Sequence, residues 1–134
     1  MEKTLFIIKP DGVKGELIGQ IIERIQYEMH VTRLQMLHLT RHLAEAIYAE
    51  HQGKDFFEKQ IAFMVSGPVV LIEAEYFDGV VVGRKLVDEI RKEFASLAHK
   101  HLNVLHGSDS PESAKRELAL FFGEKGVCGC RIPQ

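Results

Sequence analysis

Thr4-Leu5-Phe6-Ile7-Ile8 is a short run of β-branched, aromatic and aliphatic residues, and Lys9-Pro10-Asp11-Gly12 follows it directly. The run is too short for a helix and suits a strand buried in a sheet. Pro10-Asp11-Gly12 has the chemistry of a turn and predicts that the strand stops there.

Outward from that strand, helices and strands alternate. Ile18, Ile21, Ile22, Ile25 and Met29 recur at helical spacing and form one apolar face. Val31 to Leu39 alternates loosely and predicts a second strand. Thr40 is an N-cap for a helix through Ala44, Ala46, Ile47 and Tyr48, and Asp55 is read as the cap of the next, which carries Phe56, Phe57, Gln60, Ile61 and Met64. Val69 to Ala74, after Ser66-Gly67-Pro68, is a third strand. Asp78 opens a further segment, and helical spacing runs from Arg84 to Ala98. His101 to Leu105 is a fourth strand. Ser110-Pro111 places a cap and a first-turn proline at the start of a last helix, which Gly123 ends. The order β-α-β-α-α-β-α-β-α predicts an α/β or α+β domain. With four strands, a ferredoxin-like split β-α-β arrangement is the natural solution.

The whole chain, residues 1–134, is read as one domain, because 134 residues is an ordinary domain length. Seventeen Lys and Arg against 19 Asp and Glu leave a net charge of −2, which argues against a broad nucleic-acid-binding surface. The longest apolar stretch, Ile61 to Ile72, is broken by Ser66-Gly67-Pro68 and is too short to span a membrane. Cys128 and Cys130 are too close for an unstrained disulfide, so two free thiols in a reducing, cytoplasmic setting are expected.

Several familiar motifs are absent: there is no Walker-type phosphate loop, dinucleotide fingerprint, zincin helix or nucleophile elbow. The densest polar stretch is Asn103-Val104-Leu105-His106-Gly107-Ser108-Asp109-Ser110-Pro111-Glu112. It puts a histidine at a strand end, a glycine that allows a sharp turn, and a helix N-terminus suited to anions. His106 there is a nucleophile or general base, and Glu117, inside the next helix, is placed to orient its ring. A polar turn without chemistry is the plain alternative. Lys9 stands at the edge of the first strand, where α/β proteins often meet ligands, or is a solvated residue before a turn. Arg84 and Arg91 suit a phosphate clamp or a solvated helix face. Tyr48 and Phe56 suit an aromatic platform or the core. His99, His101 and His106 make a weak metal set that lacks a fourth ligand.

Ile7-Ile8-Lys9-Pro10-Asp11-Gly12-Val13, Ser66-Gly67-Pro68-Val69-Val70 and Asn103 to Ala114 together resemble the nucleoside diphosphate kinase family, in matching order over Thr4 to about Phe122. The resemblance implies a ferredoxin-like sandwich with a four-stranded antiparallel sheet. It implies transfer of a γ-phosphate from a nucleoside triphosphate to a nucleoside diphosphate through a phosphohistidine. By motif match His106 is the nucleophile, supported by Ser108 and Glu117. Lys9 contacts phosphate and ribose, Asn103 the ribose, Arg84 and Arg91 the phosphates. Tyr48 lies near the site, and Phe56 carries the base. Mg²⁺ is expected on the phosphates, and a homo-oligomer built from dimers is implied.

The chain also departs from that pattern. Arg84 and Arg91 are seven positions apart, which removes roughly ten residues of a functional loop with its phosphate-binding Thr. Gln60 stands where an apolar residue is expected near the base, and Gly15-Glu16 replaces an Arg-Gly pair. A nucleotide-binding or regulatory protein with weak or lost turnover is therefore the second reading. A metal-binding or structural module using His99, His101 and the cysteine tail is the third.

Overall fold

The computed structural model describes residues 1–94 and 103–123. The expected helical positions 95–98, the start of the expected fourth strand at 101–102, His99 with His101, and Cys128 with Cys130 lie outside them.

Among the described residues four strands, β1 (Glu2–Ile8), β2 (His30–His38), β3 (Pro68–Tyr76) and β4 (Leu105–Gly107), form one sheet in the order β2-β3-β1-β4. Every pairing in it is antiparallel. Among the described residues, six α-helices connect and cover the strands: α1 (Pro10–Lys14), α2 (Ile18–Glu28), α3 (Arg41–Ile47), α4 (Phe57–Met64), α5 (Gly79–Glu93) and α6 (Pro111–Phe122). A single 3₁₀ turn, Ala49–His51, follows α3. This is the ferredoxin-like α/β fold.

β1 is the centre of the packing. Leu5, Phe6, Ile7 and Ile8 have no exposed surface, and their alternation divides the core. Phe6 and Ile8 face Ile21 and Ile25 of α2 and Leu86, Val87 and Ile90 of α5. Leu5 and Ile7 face Ala44 and Ile47 of α3, Ile61 and Met64 of α4 and Phe121 of α6. Each such buried Leu, Ile, Val, Met or Phe side chain contributes roughly 1.5–3 kcal/mol relative to exposure.

Local signals act as their chemistry requires. Thr40 Oγ1 accepts from Leu43 N at 3.1 Å and starts α3, while Ser110 Oγ accepts from Ser113 N at 3.0 Å and starts α6. Gly123 closes α6 by donating to Ala119 O.

Four expectations need correction. Pro10-Asp11-Gly12 is not a bare turn: Pro10 occupies the first position of the short helix α1, where its missing N–H costs nothing. Asp55 does not cap α4, whose N-cap is Phe56 without a side-chain bond; Phe57 N is already satisfied by Lys54 O. Helix α5 begins at Gly79, five residues before Arg84, behind an N-cap Asp78 in the left-handed region (φ 51°). Glu2 Oε1 accepts from Val80 N there at 2.8 Å.

The fourth correction concerns β4, which begins at Leu105 rather than in the preceding residues. Val104 is in the left-handed region (φ 59°), so extended pairing cannot start before it. Gly107 consequently lies within the strand, opposite Phe6. It is required there by packing and not by a turn: a Cβ would sit 2.5 Å from Val87 Cγ2 of α5.

Candidate active site

The end of β1, the loop before β4, the N-terminal half of α6, the C-terminal end of α3 and one face of α5 converge on a cleft of about 270 Å³. Its lining includes Lys9, Tyr48, Arg84, Arg91, Asn103, His106 and Glu117. A larger groove of about 470 Å³ beside Glu2, Lys3 and α6 is lined by no histidine, arginine or aromatic side chain. Volume therefore does not mark the site, whereas side-chain chemistry does.

His106 is centred on β4 opposite Ile7, and its side chain is 14% exposed. Glu117 Oε1 lies 3.0 Å from His106 Nε2. A carboxylate only accepts, so Nε2 donates in this contact, and in the neutral ring the lone pair then lies on Nδ1. Nδ1 makes no hydrogen bond to the described residues. The same Glu117 oxygen accepts the Ser108 hydroxyl at 2.9 Å, and Ser108 Oγ accepts from Leu5 N at 3.3 Å. Glu117 and Ser108 are both buried, so the ring rests on a dry, hydrogen-bonded support.

Lys9 is also buried. Its Nζ donates to Asn103 Oδ1 at 2.7 Å across 94 residues of sequence, and its backbone N–H donates to Val104 O. Burial pushes the Lys9 ammonium down to about 8, Arg91 adds repulsion, and Asp11 opposes both. Asp11 Oδ2 accepts from Val104 N at 3.1 Å, while Oδ1 is buried with no partner. Burial raises the Asp11 carboxyl above its ordinary value, against the Val104 N–H and Lys9.

Arg84 and Arg91 lie two turns apart on α5. Arg84 Nη1 donates to Gly107 O at 3.1 Å. Arg91 donates to Leu105 O through Nε at 3.1 Å and Nη2 at 2.9 Å. Burial lowers Arg91, and the nearby Arg84 charge lowers it further. With Arg116, which also lines the cleft, four cationic side chains face it.

Tyr48 packs edge-on against the His106 ring, with centroids 5.7 Å apart. Its hydroxyl is buried without a partner, and burial followed by the Glu117 charge raises its pKa. Phe56 does not line the cleft. It is 42% exposed and meets His51 edge-on at 5.2 Å. His51 in turn stacks on Tyr48 at 5.7 Å, and its Nδ1 lies 2.9 Å from Gln60 Oε1. The three rings run in a row from Phe56 to the cleft.

The sequence reading missed His51, Asp109 and Arg116 as lining residues. Arg116 could have been found as the neighbour of Glu117, and Asp109 as part of the His-Gly-Ser-Asp block. His51 enters only because the 3₁₀ turn carries it back over Tyr48. Among the described residues, no group of three or more His, Cys, Asp or Glu is placed to hold a metal. None of the described helices is long and apolar enough to cross a membrane.

The family model described as nucleoside diphosphate kinase matches residues 2–127. A nucleoside diphosphate kinase of Listeria monocytogenes serotype 4b is 41% identical over 138 residues, covering 95% of this chain and 92% of the relative. One from an Exiguobacterium species is 45% identical over 135 residues, covering 92% and 96%. The crystal structure of Aquifex aeolicus nucleoside diphosphate kinase superposes with a TM-score of 0.82 at 33% identity, covering 94% of this chain and 98% of that one. A match over nearly the full length, in sequence and in backbone alike, means that this chain belongs to the nucleoside diphosphate kinase family.

Proposed function

We propose that this protein is a nucleoside diphosphate kinase that moves the γ-phosphate of a nucleoside triphosphate to a nucleoside diphosphate in two steps through His106. The observation that carries this reading is the His106–Glu117 contact: it leaves Nδ1 with a free lone pair beside a cleft lined by cations.

In the first step the Nδ1 lone pair attacks the γ-phosphorus. The bond from that phosphorus to the bridging oxygen breaks, and the nucleoside diphosphate leaves with the bond's electron pair. In the second step a terminal oxygen of the acceptor diphosphate attacks the phosphorus, and the P–N bond breaks back onto Nδ1. Glu117 holds the Nε2 proton throughout and stabilises the positive charge the ring gains. Phosphoryl transfer depends mainly on positioning and charge neutralisation. Lys9, Arg84, Arg91 and Arg116 supply the charge. Asn103 and Lys9 hold the ribose and its neighbouring phosphate. Phe56, at the open end of the ring row, offers a stacking face that does not read base edges, which fits broad acceptance of bases.

A divalent cation, Mg²⁺ in this reading, neutralises phosphate oxygens when bound with the nucleotide. The donor set fits an ion carried chiefly by the phosphates, because Glu117 is committed to His106 and no carboxylate cage exists among the described residues. Glu50 and Asp109 line the cleft and are available to the ion or its waters. We assign the open edge of β2 to pairing with a second copy of the chain.

Incubation with γ-labelled ATP tests the reading. The expected result is an acid-labile, base-stable label on His106 that a different nucleoside diphosphate then removes as its triphosphate. Chelation of divalent ions should stop the transfer. Label without transfer favours a nucleotide-binding protein with lost turnover. No label, with His106→Ala indistinguishable from the parent, overturns the reading.

A further inference from the structure

β4 is the last strand of the sheet, and the pairing fixes which of its carbonyls face the open edge. Ser108 N donates to Leu5 O and Lys9 N to Val104 O, with His106 opposite Ile7 midway between them. An antiparallel ladder alternates, so residues 104, 106 and 108 bond towards β1 while residues 105 and 107 turn their carbonyls outward. Such an outward row is left unsatisfied unless something covers it.

Two arginines of α5 cover it. Arg91 places Nε and Nη2 on Leu105 O, and Arg84 places Nη1 on Gly107 O. These are the carbonyls immediately before and after His106. Val87, between the two arginines on the same helix face, fills the space over the side-chainless Gly107.

We propose that Arg91, together with Arg84, is a positioning residue for His106: the guanidinium groups stand in for a missing neighbouring strand and clamp the nucleophile's strand against β1. The proposal rests on the reading of His106 as the phosphate acceptor. β4 has only three residues and follows the left-handed Val104, so bonds to β1 alone would hold it along one edge. Displacement of a reacting atom by about 1 Å costs on the order of a hundredfold in rate. Arginine suits this task because its planar fork delivers two parallel donors to one carbonyl, where a lysine makes a single-point contact. Arg91 also lines the cleft, and two bonds to Leu105 O leave part of its five-donor guanidinium uncommitted, so a phosphate contact is compatible with the clamp.

The test separates clamp from ligand by measuring the nucleotide-free protein. In Arg91→Gln the ¹⁵N resonances of the His106 ring should shift away from the Nε2-protonated form. The rate of phosphoenzyme formation at saturating nucleotide should fall about a hundredfold, with a much smaller change in KM. Arg91→Lys, which keeps the charge, should not restore the rate. Unchanged ring resonances in nucleotide-free Arg91→Gln overturn the proposal, and so does a raised KM with intact kcat.

Should the variants fail to fold, the parent protein still decides. Its Arg91 Nε–H should exchange slowly with solvent before any nucleotide is added, and exchange at the rate of a free guanidinium overturns the clamp. Failure of the underlying reading shows separately, as a parent protein that takes no label on His106 whatever its ring resonances.

Discussion

Glu117 Oε1 sits 3.0 Å from His106 Nε2 and also receives the Ser108 hydroxyl at 2.9 Å. One carboxylate oxygen thus fixes both the tautomer and the tilt of the ring. Glu117→Gln removes the charge and lets an amide N–H face Nε2, which favours the tautomer with its proton on Nδ1. We expect the rate of phosphohistidine formation to fall at least about tenfold, as when other histidines lose their orienting carboxylate. Thermal stability should change little, because the substitution also removes a buried charge. Labelling kinetics and a melting curve on the same preparation check this. An unchanged labelling rate would show that Glu117 does not govern the ring.

Lys9 gives a pH-dependent prediction. Its pKa is lowered from 10.5 to about 8, chiefly by burial, with Arg91 of α5 adding to the shift and Asp11 of α1 opposing it. Between those two values the unfolded chain holds the proton and the folded chain does not, so stability rises with pH across that window. Below pH 8 both states are protonated, and the full cost of the buried charge, on the order of 3 kcal/mol, is present. Lys9→Met removes that cost and also the hydrogen bond to Asn103. We expect a net gain of about 1–2 kcal/mol at pH 7 and no rise between pH 8 and 10.5. Activity should be lost, because the phosphates lose a cation. Urea titrations at pH 7 and pH 9.5 measure the difference; parallel behaviour of parent and variant would contradict it.

Much of this fold is legible in the sequence because its signals are local. The Ile18 to Met29 spacing defines α2, and Thr40 and Ser110 cap their helices as their side chains dictate. The failures are tertiary. β4 starts late because Val104 is forced into a left-handed conformation by contacts with Lys9 and Asp11, more than 90 residues away in sequence. Gly107 is a packing glycine because Val87 arrives from α5. The motif residues His106, Ser108, Glu117, Lys9 and Asn103 do meet, but the bonds of Arg84 and Arg91 to β4 could not be read from two arginines on a helix face. Phe56 stays at the rim because His51, which no motif marked, lies between it and Tyr48.

The Val104 conformation leads to a third prediction. A β-branched residue at φ 59° costs about 1–3 kcal/mol, and the bond from Leu105 N to Asn103 O at 2.7 Å closes a tight turn around it. Asp11 Oδ2 restrains this turn from outside by accepting from Val104 N. Asp11→Ala leaves that buried N–H unsatisfied and should destabilise the protein by about 1–3 kcal/mol. Asp11→Asn keeps an acceptor and removes a buried charge that burial already disfavours, so it should stay within about 1 kcal/mol of the parent. Equal destabilisation by both substitutions, measured in urea, would mean that the carboxylate's charge and not its acceptor oxygen holds the turn.

The exposed side of β2 supports the last prediction. This nine-residue strand lies at the sheet edge opposite β4, and Leu34 and Met36 on it are 52% and 53% exposed. A long edge strand with alternate apolar side chains in water is a template for pairing with another chain. In contrast to β4, whose free carbonyls are taken by arginines, β2 presents aliphatic surface, and a second copy offers the same surface in return. We expect a dimer built on this edge. Leu34→Lys with Met36→Lys places like charges against one another across the two-fold and should yield monomers, read by size-exclusion chromatography with light scattering. A monomeric parent protein, or an oligomer whose size is indifferent to the two lysines, would rule out this arrangement.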